Sequence, residues 1–74
     1  MITALDLALE LTCLFKKQMD LSFEILSNNN RAIEHLTNVG CKYGRDELKS
    51  VSENTWRMAL DIFEANMEIT GLHL

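Results

Sequence analysis

The chain has 74 residues, room for one small domain (1–74) and no more. Apolar residues make up 47% of it, the net charge is −4, and there is no proline. That balance excludes a disordered or proline-rich segment, and the lack of a basic stripe removes the main driving term for nucleic-acid or anionic-membrane binding.

From Thr3 to Ser27 the apolar spacing is helical. Ala4, Leu7, Leu11, Leu14, Leu21 and Ile25 share one seam, in which Gln18 is the only polar member. A neighbouring seam holds Leu5, Ala8, Phe15, Met19 and Leu26, and Leu9 and Phe23 widen the face further. Asp6, Glu10, Lys17, Asp20, Glu24 and Ser27 lie opposite. The spacing predicts one rod of about 36 Å with a face wider than a two-stranded coiled coil requires.

Asn28, Asn29 and Asn30 admit two readings. They either cap a new helix or pass through as helix, since each costs only tenths of a kcal/mol against good helix formers. Ile33, Leu36 and Tyr43 continue the second seam, which favours a continuous helix with a possible kink at 28–30. The stronger break is expected between Gly40 and Asp46, where the apolar register slips between Tyr43 and Leu48. A glycine C-cap, a short connection and Asp46 as N-cap there make a helical hairpin turn.

A second long helix is expected from Asp46 to about Thr70, or from Ser50 by its capping-box spacing with Glu53. Trp56, Leu60, Phe63 and Met67 repeat at four, three and four, with Leu48, Val51, Ala59, Ile62 and Ile69 beside them. Gly71 is a suitable stop before the tail Leu72, His73 and Leu74. The expected fold is therefore all-α: an amphipathic hairpin of two long helices. Two helices cannot cover both wide faces, so the hairpin is expected to assemble as a homo-oligomeric bundle. Leu7, Leu11, Leu14, Phe15, Leu21, Trp56, Leu60, Phe63 and Met67 are its expected interface.

No catalytic, cofactor or metal motif stands out. Neither His35 nor His73 has a glutamate three residues before it, as helical di-metal sites require. Cys13 and Cys41 lack zinc-site spacing, and in a chain without a secretory signal they read as reduced thiols of a cytoplasmic protein. No apolar run reaches the ~20 residues of a transmembrane helix. Asp61, Glu64 and Glu68 form an acidic stripe near a helix C-terminus, where a basic group from another chain would offset them.

The run from Glu24 to Glu34 (EILSNNNRAIE), followed by Gly44 to Lys49 (GRDELK), resembles the phasins, the small bacterial proteins that coat polyhydroxyalkanoate granules. Asn30 to Glu34 carries the similarity, and Arg45 to Glu47 extends it loosely, over about a third of the chain. The glycines depart from the continuous helix of that family. The resemblance implies a non-enzymatic, self-associating protein whose apolar faces lie on a hydrophobic surface. The alternative from the same faces is a small helical adaptor or regulator that docks a protein partner.

Overall fold

The computed structural model describes residues 1–18 and 20–70. Every regular element among them is helical. The described residues form five helices: α1 (Ala4–Lys17), α2 (Phe23–Leu26), α3 (Asn29–Asn38), α4 (Arg45–Lys49) and α5 (Glu53–Thr70). The expected Gly71 stop and the 72–74 tail lie outside the described residues, as does Met19 in the second seam.

Side-chain caps decide where the chain turns. Thr3 opens α1, its Oγ1 accepting the Asp6 N–H at 3.1 Å, and Asp6, Lys16 and Lys17 complement the helix dipole. The single rod expected over residues 3–27 is broken twice. α1 ends at Gln18, the one polar member of its seam. Ser22 then caps α2, its Oγ accepting the Ile25 N–H at 3.3 Å, while Leu21 turns into the core. The expected passage through the asparagines is replaced by a cap: Asn28 Oδ1 accepts the Arg31 N–H at 3.2 Å and starts α3. Helix propensity alone would allow continuity. The cap satisfies an otherwise orphaned donor and lets two short helices fold back over the core.

α3 closes where the sequence places a turn. Gly40 has φ +71°, the Gly40 N–H donates to Thr37 O at 3.2 Å, and the Cys41 N–H donates to Leu36 O at 3.1 Å. This is a Schellman motif with glycine at the left-handed position. Beyond it, Gly44 rather than Asp46 precedes the next helix, and its N–H donates to the Glu47 carboxylate at 3.2 Å. Asp46 sits in the first turn of α4. The helix expected from Asp46 or Ser50 onward is interrupted, because Ser50 closes α4: its Oγ donates to Glu47 O at 2.7 Å. Ser52 is the cap of α5, its Oγ accepting the Thr55 N–H at 3.2 Å.

The two long helices, α1 and α5, pack against each other, and the three short ones connect them. Ile2 shares a surface recess with Ser52 and Thr55, and Phe15 meets Phe63 further along, so α1 and α5 run in the same sense. A parallel pair needs a long crossover, and α2–α4 supply it. The core draws on every element: Leu7, Leu11, Leu14 and Phe15 from α1, Leu26 from α2, Leu36 from α3, Leu48 from α4, and Trp56 and Phe63 from α5. Phe63 lies between two aromatics, edge-on to Phe15 at 5.9 Å and stacked with Phe23 at 6.5 Å. The radius of gyration is 11.0 Å, against about 11 Å for a compact domain of this length.

Two measurements check this account. Phe63→Ala removes the shared aromatic contact and is expected to lower unfolding free energy by about 3–5 kcal/mol in urea titration. Asn28→Ala removes one cap and is expected to cost about 1 kcal/mol. An Asn28→Ala chain as stable as the parent would show that the α2–α3 break does not depend on that side chain.

Candidate interaction surface

The side chains expected at an interface are instead the interior of the single chain. Leu7, Leu11, Leu14, Phe15, Leu21, Trp56, Phe63 and Met67 are buried, and Leu60 is half-buried beside Trp56 and Arg57. The extra turns explain this. They bring Leu26, Ala32, Ile33, Leu36 and Leu48 over faces that a two-helix hairpin leaves open.

Apolar surface remains elsewhere. Leu5 is 56% exposed, Leu9 50%, Met58 57% and Ile69 83%. On α5, Met58, Ile62, Ala65 and Ile69 repeat at four, three and four, which aligns them along one side of the helix. Ile62 is half-buried and Ala65 exposed. Thr55, Ile62 and Ile69 recur at seven, and Thr55 borders the recess that holds Ile2, so this seam runs along the edge of α5 next to α1. On α1, Leu5 shares a row with Ala8, Thr12 and Phe15, and Phe15 packs on Phe63. That row therefore faces α5, and Leu5 and Leu9 lie at its outer margin. The opposite flank of α1 is used differently: Glu10 Oε1 accepts the Lys42 N–H at 3.1 Å and ties the α3–α4 turn to α1. The exposed stripes of both long helices thus flank their shared junction.

Charge frames this surface unevenly. Asp61, Glu64 and Glu68 are exposed along the far side of the α5 stripe, and the last turn of α5 contains no basic residue. Lys16 ends the α1 row Leu5, Leu9, Thr12 and Lys16. The acidic groups sit toward the helix end that carries partial negative charge, an arrangement unfavourable by some tenths of a kcal/mol without a cationic neighbour.

Other candidate groups are not brought together. Cys13 is exposed and Cys41 half-buried, both as free thiols, and the Cys41 Sγ–H donates to Tyr43 O at 3.1 Å. His35 is half-buried in the last turn of α3, and His73 lies outside the described residues. Among the described residues no group of three or more His, Cys, Asp or Glu side chains is placed to hold a metal ion. No described helix is long and apolar enough to cross a membrane. Neither a family model, nor a curated protein, nor a solved structure matches the chain.

Met58 and Ile69 already face water and carry little of the folding of a single chain. Met58→Glu combined with Ile69→Glu is therefore expected to shift unfolding free energy by no more than about 0.5–1 kcal/mol. In the dissociated chain the same pair is expected to weaken binding of a hydrophobic fluorescent dye. Unchanged dye binding would place the accessible apolar surface somewhere other than the α5 stripe.

Proposed function

We propose that this chain is a non-enzymatic structural and interaction protein, acting as an assembly of copies joined through the outer face of α1 and α5. The observation that carries the reading is the alignment of Leu5, Leu9, Met58 and Ile69, all half or more exposed, beside one helix junction. Single exposed apolar residues are ordinary, whereas an aligned set on two packed helices is surface whose burial is favourable. Covering such side chains contributes roughly 25 cal/mol per Å² removed from water.

A second reading uses the same face for a hydrophobic surface, as the resemblance to phasins implies. The segment that carries the resemblance forms α2, α3 and α4, whose large apolar side chains point into the core. Coating a granule in this fold would therefore fall to α1 and α5. The adaptor alternative, docking a different protein there, makes the same residues the contact.

Sedimentation separates these readings. At micromolar concentration the chain is expected to run at twice 8.5 kDa or more, and the Met58→Glu, Ile69→Glu chain at 8.5 kDa. A folded wild-type monomer that moves onto oil droplets would favour the surface-coating reading over self-assembly. A folded monomer that stays in the aqueous phase would leave only a different protein partner for this face.

A further inference from the structure

We infer that the occupant of the α5 stripe is the α5 stripe of a second copy, packed in parallel. This rests on the self-assembly just proposed and goes further in fixing its orientation. The spacing of the stripe is that of a coiled-coil seam: Met58 and Ala65 occupy d positions, Ile62 and Ile69 occupy a positions. Asp61 and Glu68 then fall at g, on the side away from α1. The e side, with Ala59 and Asn66, is the side of α5 that turns toward α1 and the core.

Orientation follows from charge. In an antiparallel pair, g positions face g positions, and Asp61 of one copy would meet Glu68 of the other. Like charges in that position oppose association. In a parallel pair, g faces the e side of the partner, which here is flanked by α1. Lys16 is the exposed end of the α1 row on that flank. Its height is fixed within the chain: Phe15 packs on Phe63 at 5.9 Å, so Lys16 lies level with Glu64, within about a turn of Asp61 and Glu68. A parallel two-fold preserves heights. It therefore sets Lys16 of each copy against the acidic edge of the other, and supplies the cation that the C-terminal half of α5 lacks within its own last turn. Leu5 and Leu9 border the same contact and extend its apolar part beyond the short α5 seam.

Disulfide trapping tests the orientation in chains carrying Cys13→Ser and Cys41→Ser. Met58→Cys alone and Ile69→Cys alone, oxidised with glutathione disulfide, are each expected to give a covalent dimer, because parallel pairing sets like residues together. If neither crosslinks alone while an equimolar mixture of the two does, the pairing is antiparallel and the inference is overturned, although self-assembly stands. If the reduced chains sediment as monomers at the same concentration, self-assembly itself has failed and the orientation with it.

Discussion

The fold depends on one side chain that two distant parts of the chain share. Phe63 meets Phe15 edge-on and lies parallel to and offset from Phe23, so α5 is held at once by α1 and by the first residue of α2. Aromatic pairs in these geometries contribute beyond the area they bury. Their effect on architecture is larger than their energy. Residues 15 and 23 reach the same ring from two separate helices, since α1 ends at Lys17 and α2 begins at Phe23. The packing of Phe63 thus ties together the two sides of the break after Lys17.

Local hydrogen bonding fixes that break and the others along the chain. Thr3, Ser22, Asn28 and Ser52 each accept a backbone N–H from the residue three positions on. Four of the five helices thus begin at a side-chain cap. The fifth begins at Gly44 and is supported by Glu47 reaching back. Short helices such as α2 and α4 have no independent stability and exist because caps and core contacts fix both ends. In a chain this small, subdividing the helices also lets more of each apolar face be covered from within.

Much of this was legible in the residues, and the remainder was not for definable reasons. The all-helical class followed from the spacing and the absence of proline. Gly40 announced its turn because only a left-handed C-cap gives a glycine that purpose beside a loss of register. The breaks at 18–22 and 28 were harder to see. Gln18 was conspicuous as the one polar residue in an apolar seam, and Ser22 and Asn28 are good caps. Yet periodicity read over 25 residues outweighs such local signals until tertiary contacts are known. Assigning Leu7, Leu11, Leu14, Phe15 and Phe63 to an interface followed from the two-helix count. Once five helices replace two, the same side chains become the core. The sequence also carried the 58, 62, 65 and 69 spacing, but the larger Trp56 to Met67 seam on the same helix masked it.

α5 consequently has two seams with the same four-three-four rhythm and different fates. Trp56, Leu60, Phe63 and Met67 include the bulkiest side chains and close the core. Met58, Ile62, Ala65 and Ile69 are smaller on average and lie toward the solvent side. A helix needing only intramolecular partners would be expected to be polar on its second face. Here that face is apolar in the middle and acidic on one margin. Met58 and Ile69 there do little to stabilise a single chain, since they face water, and they raise the tendency to associate. In the proposed pairing of two copies the acidic margin acts on orientation: it opposes antiparallel contact through repulsion and leaves parallel contact favourable. Apolar area supplies the attraction, and charge placement restricts how that attraction can be satisfied.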